Sequence, residues 1–151
     1  MSASSAAKIG VVVHEGKVTP EQAAALRAAL ADAGLKVSWR AIDKGRHATK
    51  AAERLLARDA THVVACGGDG TVRATAQALV GTGVPLSVVP AGTANAFCAA
   101  LDLPHDIDRV VHAIRHGDDR RLDVGRCNGK TFVLMAGTGL DTAMIDGADD
   151  A

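Results

Sequence analysis

Four short apolar runs alternate with stretches that carry helix signals, and this rhythm constrains the fold more than any other feature. Lys8–Val13, Leu35–Ile42, Thr61–Cys66 and Pro85–Val89 read as strands, the first with both faces buried. Between the first two, Thr19-Pro20-Glu21-Gln22 opens a helix: Thr19 as N-cap, Pro20 at the first helical position, Gln22 completing a capping box. Gly34 ends that helix as a left-handed residue. His47–Arg58 reads as a second helix with Leu55 and Leu56 inward, and Thr71–Val80 as a third. Asn95–Leu101 is a short helix, and Asp106 caps another that runs to about His116 and closes at Gly117. Strands alternating with helices predict an α/β fold: a parallel, Rossmann-like sheet with helices on both faces. Ligands of such sheets bind outside the carboxyl ends of the strands. The loops His14–Lys17, Gly67–Thr71 and Pro90–Asn95 all follow strands, so they gather on that edge.

After Asp118 the pattern changes. Arg121–Cys127 and Lys130–Met135 flank Asn128-Gly129, a strong two-residue hairpin signal. The chain therefore divides into an α/β domain over residues 1–118 and the beginning of a β-rich region over residues 119–151. An exposed strand edge near Lys130–Met135 predicts self-association. The acidic tail Asp146–Asp150 reads as loose.

Composition narrows the function classes. Aromatic residues make up 2% of the 151, and Lys+Arg and Asp+Glu both number 17. That leaves neither stacking platforms nor a basic stripe for nucleic acid. Cys66, Cys98 and Cys127 are far apart and odd in number, which suits a reduced, cytoplasmic setting. Ala74–Leu101 has no charged residue, but Gly81, Gly83, Pro85, Pro90 and Gly92 punctuate it as helix, turn, strand, loop and helix inside a globular core.

The chemistry concentrates in Gly67-Gly68-Asp69-Gly70-Thr71, between a strand and a helix. Glycines let backbone N–H groups approach an anion, and the helix start adds partial positive charge. Asp69 is the odd member. A carboxylate in a phosphate cradle repels phosphate unless it binds a metal, accepts a proton or orients a hydroxyl. Other candidates have plainer explanations. His112 and His116 share a helix face without an evident third ligand, and Cys66 reads as a small buried strand-end residue.

Gly67–Thr71 followed by Pro90-Ala91-Gly92-Thr93-Ala94-Asn95 closely resembles the catalytic domain of diacylglycerol kinase-like lipid kinases, relatives of the NAD kinases. Leu122-Asp123-Val124-Gly125 through Gly137-Thr138-Gly139-Leu140-Asp141 resembles that family's entry into its second domain. The resemblance covers about Ile9 to Asp141. It implies ATP-dependent phosphorylation of a lipid hydroxyl such as diacylglycerol, with Mg²⁺, at the inner face of a membrane. It implies that Gly67, Gly68, Gly70 and Thr71 cradle the nucleotide phosphates, and that Asp69 sits at the transfer centre in contact with Mg²⁺ or ATP. Gly92, Thr93 and Asn95 would line the opposite wall, with Gly16 in the first loop preserving a phosphate approach.

This chain departs from the family at three places. His14-Glu15-Gly16-Lys17 stands where the family usually has Asn-Pro-x-Ser-Gly. Arg73-Ala74 replaces Asn-Glu, and Ala96-Phe97-Cys98-Ala99 replaces Asp-Phe-Ala-Arg. The family's second domain returns an acidic general base to the cleft, and this chain stops before that residue. A fragment or half-site is therefore expected. NAD kinase-type specificity and a catalytically inactive nucleotide-binding module are the alternative readings.

Overall fold

The computed structural model describes residues 7–134. The expectations for Met135, for Gly137–Asp141 and for the acidic tail lie outside them. Four strands, β1 (Lys8–His14), β2 (Lys36–Ile42), β3 (His62–Gly67) and β4 (Leu86–Pro90), form one parallel sheet in the order β2-β1-β3-β4. The chain steps outward from β1 to β2 and then returns past β1 to β3. The direction of winding thus reverses between β1 and β3, and open α/β sheets offer a crevice at such a point.

Side-chain parity explains the layers. Val11, Val13, Val64, Cys66 and Val89 point to one face, where α1 (Pro20–Asp32) and α5 (Ile107–His116) cover them with Leu26, Leu30, Val110 and Val111. Val12, Val63, Ala65 and Val88 point to the other face. They meet α2 (Ala48–Leu56), α3 (Asp69–Leu79) and α4 (Ala96–Ala100) through Ala52, Leu55, Val72, Ala74 and Phe97. β1 and β3 are covered on both faces, which is why they read as continuous apolar runs. At the edge, β2 alternates exposed and half-buried residues over most of its length.

Local signals hold where they rest on named caps. Thr19 Oγ1 accepts from the Gln22 N–H at 3.2 Å, and Gln22 Oε1 accepts from the Thr19 N–H at 2.9 Å. Gly34 lies at φ +72°, and the Leu35 N–H returns to the Leu30 carbonyl at 3.1 Å. Helix α5 closes at Gly117 as expected, the glycine leaving it in extended geometry at φ −78°. Helix α3 begins two residues earlier than the sequence reading, at Asp69, with Gly68 as its N-cap.

The uncharged stretch Ala74–Leu101 resolves into most of α3, then β4, then α4, and among the described residues no helix is long and apolar enough to cross a membrane. Beyond α5, β5 (Gly125–Cys127) and β6 (Lys130–Phe132) form the antiparallel hairpin expected around Asn128-Gly129. It is shorter than predicted, because Arg121–Val124 have no strand partner among the described residues. The expected open edge is engaged at Thr131. Its N–H donates to Gln77 Oε1 and its carbonyl accepts from Arg73 Nη1, both at 3.4 Å.

Candidate functional site

Two strand-to-helix turns meet at the carboxyl edge of the sheet. The first, Gly67–Thr71, carries β3 into α3. Helical geometry leaves the N–H groups of Asp69, Gly70 and Thr71 without intrahelical carbonyls, and Gly68 has no side chain to cap them. Gly70 is exposed, while Thr71 is buried and its carbonyl accepts from the Thr75 hydroxyl at 2.8 Å. Outward donors and a helix dipole make this the part of the molecule best suited to an anion.

The second turn, Ala91–Asn95, carries β4 into α4. The Gly92 N–H donates to Asn95 Oδ1, and Asn95 Nδ2 donates back to the Gly92 carbonyl, each at 2.9 Å. Asn95 sits in the left-handed region at φ +48°, one of the few conformations in which a non-glycine residue closes such a turn. The two turns touch through backbone. A Cβ placed on Gly92 would fall 2.5 Å from the Gly68 Cα, and the Ala91 N–H donates to the Gly67 carbonyl at 2.9 Å. Only glycines allow that approach.

Asp69 joins the turns a second time. Its Oδ2 accepts from the Ala96 N–H at 3.1 Å and its Oδ1 from the Phe97 N–H at 3.0 Å. This geometry accounts for an acid within the glycine turn, since both of its oxygens face amides of the neighbouring turn. Cys98, buried behind it, has its thiol pushed up by burial and, to a lesser extent, by the Asp69 charge.

The remaining residues singled out from the sequence are less closely gathered. Thr93 is exposed on the second turn. Gly16 is exposed in the β1 loop, where its N–H donates to His14 Nδ1 at 3.2 Å, so its amide turns back on its own loop. His112 and His116 have ring centroids 5.0 Å apart on the exposed side of α5. Among the described residues no group of three or more His, Cys, Asp or Glu is placed to hold a metal. Cys66 is fully buried and its thiol is pushed up to about 12 by burial.

One neighbour of the site escaped the sequence reading. The connection from β2 to α2 packs on the first turn, where a Cβ on Gly45 would lie 3.3 Å from the Gly70 carbonyl carbon and the Thr71 nitrogen. This places Lys44 and Arg46 on a segment bordering the glycine turn. His47 is paired with Asp43 at 2.8 Å, and the shared hydrogen bond holds the Asp43 carboxyl below its usual range. The signal was two cations around a glycine directly after a strand.

Two clefts open near the same edge. One, of about 330 Å³, lies between Val18, Val89, Ala91 and Ile107; the other, of about 260 Å³, lies beside Trp39, over whose ring the Arg27 guanidinium stacks at 3.9 Å. Neither is lined by Gly67–Thr71, of which Gly70 is exposed at the surface.

Comparison with known proteins points to one family. The family model of the diacylglycerol kinase catalytic domain matches residues 10–127. A diacylglycerol kinase of Bacillus subtilis (strain 168) is 34% identical over 110 residues, covering 71% of this chain and 36% of the relative. An uncharacterized protein of Synechocystis sp. is 44% identical over 87 residues, covering 58% of this chain and 20% of the relative. The crystal structure of a diacylglycerol kinase from Bacillus anthracis matches with a TM-score of 0.68 at 25% identity, covering 83% of this chain and 49% of that one. The chain spans between 20% and 36% of the length of these two curated relatives. With a parallel sheet, two meeting glycine turns and a family match over most of its length, the chain belongs to the diacylglycerol kinase catalytic domain family.

Proposed function

We propose that this chain forms the nucleotide-binding part of a lipid kinase cleft, and that the reaction served is transfer of the ATP γ-phosphoryl group to a lipid hydroxyl such as diacylglycerol. Residues 1–118 act as the catalytic domain and residues 119–151 begin a β-rich one. The first-turn N–H groups of Asp69 and Gly70 take the nucleotide phosphates, with Gly67 and Gly68 keeping the turn low enough for the approach and buried Thr71 completing the turn behind them. Gly92, Thr93 and Asn95 form the facing wall, and Gly16 borders the site from the β1 loop. Phosphoryl transfer asks a protein mainly to position the phosphate and neutralise its charge. A first helical turn with free donors suits that demand.

Asp69 is the carboxylate nearest this chemistry, and each of its oxygens accepts one amide while keeping a further lone pair. Among the described residues Asp69 is the one carboxylate at these turns, so Mg²⁺ would be held mainly by the nucleotide phosphates, with Asp69 offering its outer lone pairs. The lipid acceptor brings the protein to the inner face of a membrane, the cytoplasmic setting that its free cysteines suit.

The observation that carries this reading is Gly70. It lies in the first turn of a helix, its φ is not positive, and a Cβ built on it meets nothing within 4 Å. The fold has no use for a glycine there, and alanine would be the more stable choice by about 0.5–1 kcal/mol. A ligand that must approach the backbone from outside supplies the reason. Gly70→Ala is therefore expected to raise the unfolding midpoint while weakening ATP–Mg²⁺ binding about tenfold, the effect of roughly 1.4 kcal/mol. Unchanged affinity, measured by calorimetric titration, overturns the placement of the phosphates. Labelled phosphate offered with a lipid extract and with NAD then separates a lipid kinase from one acting on a soluble nucleotide. Label in the lipid fraction supports the proposal.

A further inference from the structure

We infer that Asp69 is a positioning residue: it caps helix α4 from a different element, and through that cap it fixes one wall of the cleft against the other. The inference deepens the reading above and rests on it for the identity of the walls.

Helix α4 cannot hold itself in place. It has five residues, far below the length at which a helix persists on its own propensity. Its own N-cap side chain gives it nothing: the Asn95 amide is spent on Gly92 and makes no bond to the helix. The N–H groups of Ala96 and Phe97 would then open onto the cleft without a partner. Asp69 supplies both acceptors, one oxygen to each amide. A carboxylate at a helix start also gains from the dipole, and its hydrogen bonds are of the stronger, charge-assisted kind. Behind the cap, Phe97 and Cys98 are buried against Ala65, Val72 and Val88, so α4 is held between a polar clamp and an apolar seat.

The clamp acts together with the backbone contact beside it. Gly68 and Gly92 meet Cα to Cα, and the Ala91 N–H reaches the Gly67 carbonyl. Asp69 follows Gly68 directly, and Ala96 lies four residues beyond Gly92. One carboxylate thus ties the residue after one glycine turn to the helix after the other. Loss of activity on removing this carboxylate would follow even if it never touched a metal or a phosphate, because the facing wall would lose its anchor.

The test reads the cap directly and without nucleotide. Amide hydrogen exchange is followed by NMR in the wild type, Asp69→Ala and Asp69→Asn. In Asp69→Ala, exchange at Ala96 and Phe97 is expected to accelerate about tenfold or more while Val110 and Val111 in α5 keep their protection. Asp69→Asn keeps one acceptor oxygen, so one of the two amides should stay protected and the other should not. Should Asp69→Ala fail to fold, the near-isosteric Asn variant gives the same reading. Unchanged protection at both amides in a folded variant overturns the inference. Because no nucleotide is present, a cap that fails here leaves the Gly70→Ala test standing. A failure of ATP binding likewise leaves the cap intact.

Discussion

In the turn that leads into α4, the polar groups are spent on the turn itself: Gly92 and Asn95 bond each other twice, and the helix start is capped by Asp69. In the neighbouring turn into α3, the first-turn N–H groups face outward with no side chain to cap them. Both turns leave parallel strands at the same sheet edge, the open one with three glycines and the closed one with Gly92 alone. They differ in whether their donors are already spoken for. The closed turn is scaffold, the open one is free to bind, and the glycines of the two serve different ends. Gly92 is needed by the fold because another backbone passes against it. Gly70 is not.

Substitutions that blur this distinction should rank accordingly. Gly92→Ala drives a methyl into the Gly68 backbone, and overpacking against main chain with nowhere to move costs about 3 kcal/mol. Denaturant unfolding should show that loss, and the affinity for ATP–Mg²⁺ proposed for the open turn should fall with it. Asn95→Ala removes two hydrogen bonds and leaves a β-carbon in the left-handed region, for about 2 kcal/mol. Asn95→Gly, which relieves the backbone conformation, should recover part of that. Equal losses in the two Asn95 variants would mean that the left-handed geometry contributes nothing.

A remote region supplies the smallest effect. At the amino edge of the same sheet, His62 Nε2 lies 2.9 Å from Ser87 Oγ, and burial holds the imidazole below its ordinary value of 6.5, with Asp119 opposing in part. The unfolded chain therefore takes up the proton first as pH falls. Stability present above about 6.5 should decline below it. His62→Gln should flatten that slope without disturbing either turn. Thermal midpoints collected from pH 5 to 8 decide it.

How far the sequence foretold these features depends on how local their causes are. The Thr19–Gln22 cap and the Asn128-Gly129 hairpin are written in adjacent residues, and both stand where expected. The parallel sheet was legible because strands buried on both faces have no polar alternation to disguise them. The start of α3 was missed by two residues. Glycine is a poor helix former, so Gly70 was placed outside a helix that tertiary contact extends over it. Asp69 was recognisable as an acid in an unexpected place. Its partners, Ala96 and Phe97, are joined to it only by the folding of β4 beside β3, and no spacing rule connects them. The approach of Gly45 to Gly70 is likewise a product of the β2–α2 crossover.

Helix α3 carries more than the open turn. Its first residues present the outward donors, and one turn along, Arg73 and then Gln77 hold both main-chain groups of Thr131. Its eleven residues make a rod of about 16 Å. The hairpin hangs from the shaft of that rod while the donors sit at its tip. The hairpin's anchor and the open turn are thus two parts of one helix, joined by the Arg73 and Gln77 side chains.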